Sequence, residues 1–307
     1  MFKNTYTIVL LILSTIFALL LLKRYIDENS PSSKKKEGFI QEAPFIIKRN
    51  ENAYDEFVAK IYDKIFHSNR EPYYNEMQAF KTTQPDKDKS VILDLGCGTG
   101  DFMKDLMESG YKNVYGLDNS SFMADEAHLR GGDMKIKVGD ASKQSMLYDK
   151  SVFTHVFCIG MTIYDIKDKI AFFRNCFLWL KPNGYLILHC VNRDRFQNIV
   201  PSAAPLLLDG ESPGKYVQER ITTSEVSFPD FKYKSEYDFT KTDVVVFKET
   251  FTDVASSKVR QNEKELFMPN NMENILFDAQ YCGFLVVGQI TMNIDENQFL
   301  FILERPH

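Results

Sequence analysis

Apolar and polar positions change texture several times along the chain. Residues 4–22 carry no charge and are almost wholly apolar from Ile8 on, while residues 23–40 are polar and include the run Lys34, Lys35, Lys36. Beyond them the pattern becomes periodic. From Tyr54 to Phe66, Phe57, Ile61 and Ile65 share one helical spacing with Tyr54 and Val58, which predicts a helix. A second helix is expected over Tyr73–Phe80. After the polar loop 81–90, short apolar runs and helical segments alternate. Strands are expected at Val91–Leu95, Asn113–Leu117, Lys135–Val138, His155–Ile159 and Tyr185–Val191. Helices fall between them at Asp101–Ser109, Ser121–Leu129 and Lys167–Leu180, the last stopped by the turn Lys181-Pro182-Asn183-Gly184. Such alternation implies a parallel sheet with helices on both faces. Past Asn192 the segments Phe231–Phe239, Val244–Phe251 and Lys258–Phe267 alternate at strand period and are rich in aromatic and β-branched residues, so antiparallel strands are expected. A helix over Asn271–Tyr281 and closing strands at Phe284–Thr291 and Gln298–Glu304 complete the pattern.

The first apolar stretch is long enough to matter. A helix over 4–22 rises about 28 Å, close to the roughly 30 Å hydrocarbon core of a bilayer. Lys23, Arg24 and Tyr25 follow it where a signal peptide would place small residues, so an uncleaved membrane anchor is expected. The basic excess on its carboxy-terminal side keeps the remainder in the cytosol. Residues 23–40 then read as a basic linker, and 41–307 as the main domain.

Composition changes this picture little. A formal net charge of −5 over 307 residues argues against a nucleic-acid partner bound by bulk positive charge. The five cysteines form no C-x-x-C pair, so no metal site is expected, and they read as small buried hydrophobes in a reducing compartment.

Candidate chemistry concentrates in VILDLGCGTG, residues 91–100. Gly96, Gly98 and Gly100 follow an apolar strand and precede a helix, where glycine permits a tight turn and lets a ligand approach the backbone. A dinucleotide fingerprint starting at Gly96 would need glycine where Asp101 stands, and a phosphate loop would need a Gly-Lys-Ser/Thr ending. Asp94, inside the strand end, suits a ligand bearing a cationic group better than a pyrophosphate. Asp118 ends the next strand, where a carboxylate can accept two hydrogen bonds from a ribose diol, or cap the following helix in competition with Asn119 and Ser120. Asp140 follows the third strand and suits either an adenine amino group or a turn.

With these residues in place, the stretch 91–191 resembles the class I S-adenosylmethionine-dependent methyltransferases of the broad small-molecule group. LDLGCGTG matches their first motif closely, and Asp118, Gly139-Asp140-Ala141 and KPNGYLILHC fit later ones. The resemblance extends over residues 50–305. It implies an α/β, Rossmann-like seven-stranded sheet with helices on both faces and an antiparallel last strand. An antiparallel lid inserted before the last helix, over about 193–268, completes the expected fold. S-adenosylmethionine is the implied cofactor. Asp94, Gly96, Cys97, Gly98 and Gly100 would surround its methionine part, and Asp118, with Asn119 beside it, would hold the ribose. Met123 would pack on the adenine, and Asp140 and Ala141 would read its edge. Cys158 would lie beneath the cofactor, with Tyr54 and Tyr62 covering it. Relatives often carry paired histidines after the fourth strand, whereas this chain reads Met161-Thr162-Ile163-Tyr164.

Catalytic candidates at the carboxy ends of the strands are Tyr164, Asp165, His189 and Asn192, of which Tyr164 is the expected active-site residue. His155 falls at a strand start, the wrong end for chemistry. Tyr233, Tyr237, Phe247 and Phe251 either line a pocket or pack the lid. The function expected is methyl transfer to a small-molecule or lipid acceptor by a membrane-anchored enzyme. A membrane-tethered cofactor-binding scaffold and a protein methyltransferase are the other readings.

Overall fold

The computed structural model describes residues 14–19, 22–23, 41–67, 73–131, 134–203 and 220–307. The expected membrane helix 4–22 and linker 23–40 lie largely outside them; of that stretch, 14–19 and 22–23 are helical and exposed. Among the described residues no helix is long and apolar enough to cross a membrane. Residues 43–307 form a compact unit of their own.

That unit opens with β1 (Phe45–Arg49), α1 (Glu56–Phe66) and α2 (Tyr74–Thr82). An alternating series follows: β2 (Val91–Leu95), α3 (Asp101–Glu108), β3 (Asn113–Asp118), α4 (Ser121–Leu129), β4 (Lys135–Val138), β5 (Phe153–Cys158), α5 (Lys169–Trp179) and β6 (Leu180–Val191). Four strands come next, β7 (Thr223–Ser227), β8 (Phe231–Asp238), β9 (Val245–Asp253) and β10 (Val259–Leu266). Then come α6 (Glu273–Tyr281), β11 (Leu285–Met292) and β12 (Asp295–Arg305).

The strands form two sheets. The larger has seven strands in the order β11-β12-β6-β5-β2-β3-β4, and β12 runs antiparallel to both neighbours while β2 to β6 pair in parallel. The α/β class and the antiparallel closing strand are therefore as the sequence suggested. Successive residues of a strand point to opposite faces, so each face builds its own core. Leu93, Val156, Leu186 and Leu188 pack on one side with Phe173 and Trp179; Ile92, Phe157 and Ile187 pack on the other with Phe80 and Phe102. Burying each such side chain contributes about 1.5–3 kcal/mol. Helix starts are secured locally. Ser120 Oγ accepts from the Met123 amide at 3.3 Å, and Asp168 Oδ1 from the Ala171 amide at 2.9 Å.

The second sheet, ordered β1-β10-β9-β8-β7, is the lid. Two of its strands were not expected. β7 precedes the predicted series, and β1 comes from before the large sheet altogether and pairs in parallel with β10. The turn expected at 181–184 is also different. The strand β6 begins at Leu180 and absorbs it as an irregularity, with Asn183 at φ 59° and a register shift opposite Phe153 and His155.

Candidate functional site

The carboxy ends of β2, β3, β4 and β5 meet at one edge of the large sheet. There the chain crosses to opposite sides from β2, the place where open α/β sheets bind ligands. After β2 the loop folds back onto β3. The amides of Gly96 and Cys97 donate to Leu117 O at 2.7 and 3.2 Å, and the amide of Gly98 donates to Asp118 Oδ2 at 2.8 Å. Asp118 Oδ1 accepts from the Ser120 amide, also at 2.8 Å. Burial raises the pKa of this carboxyl, and these two amides act against that rise. The result is a carboxylate 8% exposed, fixed in direction under the glycine turn.

Two glycines of the turn show what the space is for. Gly98 has φ +52°, and a Cβ added there would meet nothing within 4 Å, so the backbone faces open space. Gly96 has φ +71°, and its Cβ would fall 2.5 Å from Thr162 Cγ2, so the loop after β5 presses directly on the glycine turn. A bare backbone facing open space, next to a fixed buried carboxylate and the buried Asp94, fits a ligand with a ribose diol and a cationic amino acid portion.

The other expected residues are placed as follows. Met123 is 2% exposed and Cys158 fully buried, while Asn119 is exposed at the rim. Burial pushes the thiols of Cys97 and Cys158 well up, so neither is a reactive thiolate. All five cysteines are free. Asp140, with Ala141 half-buried beside it, takes the turn role that its position also allowed. Its Oδ1 accepts from the Ser142 amide at 2.8 Å and the Ser142 hydroxyl at 2.6 Å, and Lys143 Nζ lies 2.9 Å from Oδ2. Burial opposes its ionisation, but these partners prevail and hold its pKa below the usual carboxylate value.

Tyr164 is 1% exposed, and its hydroxyl accepts from the Val191 amide at 2.9 Å. The phenol ties the loop after β5 to the end of β6 and is buried away from open space. His189 is likewise enclosed; its Nδ1 accepts from the Met161 amide at 3.1 Å, and Nε2 lies 3.1 Å from Gln298 Oε1.

Tyr164's neighbour behaves differently. Asp165 is accessible to water-sized space, yet protein surrounds it closely enough that desolvation raises its pKa. We infer from the two together that Asp165 lines a hollow. Tyr54, Tyr62 and Tyr237 are half-buried, and desolvation raises all three phenols; the charge of Glu249 acts on all three, that of Asp165 on Tyr54 and Tyr237, and that of Lys264 on Tyr62 and Tyr237. Tyr54 and Tyr62 also feel Asp118, which puts the hollow beside the glycine turn.

The roof of the hollow is the lid. Along β9 the inward stripe reads Val245, Phe247, Glu249, Phe251, Asp253, and along β10 it reads Arg260, Asn262, Lys264, Leu266, all buried. Glu249 accepts from Tyr233 Oη at 3.0 Å and from Asn262 Nδ2 at 3.4 Å. Asn262 Oδ1 accepts from Arg260 Nε at 3.0 Å, and Arg260 reaches Asp55 at 2.9 and 3.0 Å. Lys264 donates to Tyr54 Oη, and its Nζ lies 4.3 Å from the Tyr54 ring centroid and 4.9 Å from that of Phe247. Burial disfavours the charge on Lys264, but Asp165 and Glu249 outweigh this and raise its pKa, so it stays an ammonium. The sequence reading missed Glu249, Arg260, Asn262 and Lys264.

Known proteins resemble this chain at the level of the domain and the fold. Residues 92–184 match the methyltransferase domain family. Phosphoethanolamine N-methyltransferase 1 of Triticum aestivum is 32% identical over 125 residues, which is 38% of this chain and only 24% of the wheat protein. An S-adenosylmethionine-dependent methyltransferase from Clostridium acetobutylicum superposes with a TM-score of 0.58 at 18% identity, over 83% of this chain and 100% of that one. CalS10, an amino pentose methyltransferase of Micromonospora echinaspora solved with S-adenosylmethionine bound, has a TM-score of 0.52 at 18% identity, over 76% and 90% of the two chains. Residues 92–184 are thus a methyltransferase domain, carried by a chain with the fold of the S-adenosylmethionine-dependent methyltransferases.

Proposed function

We propose that the chain transfers a methyl group from S-adenosylmethionine to a small-molecule acceptor held in the hollow between the glycine turn and the lid. The observation that carries this is the juxtaposition of the open backbone at Gly98 and the fixed, buried carboxylate of Asp118 at the end of the parallel strands. When bound, S-adenosylmethionine supplies a methyl carbon made electrophilic by its sulfonium.

This chain's residues have the remaining tasks. The backbone at Gly96, Gly98 and Gly100, with Asp94, receives the amino acid portion. Asp118 accepts from the ribose hydroxyls through the lone pairs its two amide partners leave free. The turn at Asp140 and Ala141 borders the adenine, with Met123 beneath. Tyr54 and Tyr62 close over the ribose side and exclude water. The lid holds the acceptor, and in-line displacement gains most from such positioning.

The address is a separate part of the proposal. Residues 4–22 anchor the enzyme as a single membrane span, with the domain on the cytosolic side. The apolar length and the basic residues after it support this reading.

Calorimetric titration of the full-length chain in detergent with S-adenosylhomocysteine and with NAD tests the function. Binding of the former alone is expected, and tritium from methyl-labelled S-adenosylmethionine should appear in small molecules of a cell extract. Binding without any label transfer would support the tethered scaffold instead.

A further inference from the structure

Helix α1 is held by two parts of the molecule at once. The lid holds it through Asp55, which takes the Arg260 guanidinium at 2.9 and 3.0 Å, through Phe57, whose ring stands edge-on to that of Phe251 at 5.3 Å, and through Phe66, 6.4 Å from the Tyr233 ring. The loops of the proposed cofactor site hold it elsewhere. Ahead of the helix Ser120 Oγ donates to Tyr54 O at 2.7 Å, and near its end Thr99 Oγ1 donates to Asp63 Oδ1, also at 2.7 Å. Ser120 follows Asp118 by two residues, and Thr99 follows Gly98 by one. The helix is thus tied to both loops on which the proposed cofactor site is built.

The tie at Thr99 is part of a larger cluster. Arg130 stands at the carboxy-terminal cap of α4. One of its terminal nitrogens donates to Asp101, the first residue of α3; the other donates to Asp63 and, at 3.0 Å, to Thr99 Oγ1. His67 completes the group, with Nδ1 2.8 Å from Asp63 Oδ1 and 3.6 Å from Asp101 Oδ2. A single guanidinium therefore joins α1, the glycine turn and α3. The ring of Tyr62, the residue before Asp63, stands edge-on to that of His67 at 5.5 Å. The cluster so fixes a side chain assigned above to cover the ribose. The Asp63 side chain is 44% exposed, and charge-assisted bonds that reach water break and re-form without unfolding the core.

We propose that Asp63 and Arg130 are positioning residues that latch α1 onto the glycine turn, and that release of this latch sets the rate at which S-adenosylmethionine and its product exchange. This rests on the methyltransferase reading above. With the latch shut, α1 holds Tyr62 over the site. With it open, the end of the helix leaves the turn and the ligand gains a way out. Because the same helix is bonded to Arg260 and packed on Phe251, cofactor retention is tied to the closed lid. Such a gate has a kinetic signature. A loosened latch quickens both entry and release, whereas a lost ligand contact quickens release alone.

Stopped-flow measurement of S-adenosylhomocysteine entering and leaving the full-length chain in detergent tests this. Asp63→Asn keeps the size of a half-exposed side chain and removes its charge. Release should quicken about tenfold, and association should quicken with it. Hydrogen exchange of the α1 amides should rise in the same variant. Arg130→Met should do the same, and the double variant should release no faster than either single one, since both changes open one latch. Glu56→Gln breaks only the exposed pair with Lys60 on the same helix and should leave both rates as they are. Unchanged release in Asp63→Asn, faster release without faster association, or additive effects in the double variant overturns the proposal. If S-adenosylhomocysteine does not bind the unaltered chain, the methyltransferase reading is what fails.

Discussion

Gly98 and His155 show how single residues divide between ligand and fold. A methyl group at Gly98 collides with nothing, so Gly98→Ala costs the fold only the strain of φ +52°, about 1–2 kcal/mol. It nevertheless fills space that faces the ligand. We expect a small drop in Tm together with about tenfold or greater loss of S-adenosylhomocysteine affinity by calorimetry. His155 has the opposite character. It is 5% exposed, its ring nitrogens lie 2.8 and 3.0 Å from the hydroxyls of Thr154 and Thr83, and burial lowers its pKa to about 4. An unfolded histidine titrates near 6.5, so between these values the unfolded chain binds a proton that the folded chain refuses. Stability is then complete above the unfolded value and falls as pH drops through the window, by about 3 kcal/mol in all. His155→Gln should flatten that part of the urea-denaturation profile against pH; an unchanged slope would assign the acid sensitivity to other groups.

Elements explain both what the sequence disclosed and what it concealed. The parallel series was legible because apolar runs and helical runs alternate cleanly, and the glycine turn because three glycines follow a strand. In β9 a signal existed in Glu249, a charge between Phe247 and Phe251 on the inward stripe. No such signal existed in β10, where both faces carry polar residues and parity cannot say that Lys264 turns inward. The strand β1 was hidden because Phe45 and Ile47 are 48% and 38% exposed on a sheet edge, with no buried face to impose a period. Tyr164 was chosen by its position at a strand end, which fixes the element but not which of two adjacent side chains meets the hollow. Tyr164→Phe removes the acceptor of the buried Val191 amide and should lower stability by about 1–3 kcal/mol in urea denaturation, with label transfer retained. Loss of turnover with stability unchanged would return Tyr164 to the chemistry.

The whole molecule joins a rigid sheet to a lid whose inner face is aromatic and charged. On the proposed single-span anchoring, alkaline carbonate extraction of cell membranes should leave the full-length chain in the pellet, and its release to the supernatant would refute an integral span. The lid also has a consequence for how the protein is made. Its sheet is assembled from distant parts of the sequence, since Phe45 pairs with Val259 and Arg49 with Glu263. Between those partners lie all the parallel strands of the large sheet. During synthesis β1 leaves the ribosome early and stays without its neighbour until nearly the whole chain has been translated. Pairings so far apart in sequence close slowly, because the loop entropy is lost before any contact compensates it. The nascent chain therefore displays an unpaired apolar strand throughout that interval, and a requirement for chaperones during synthesis follows from the topology of the lid.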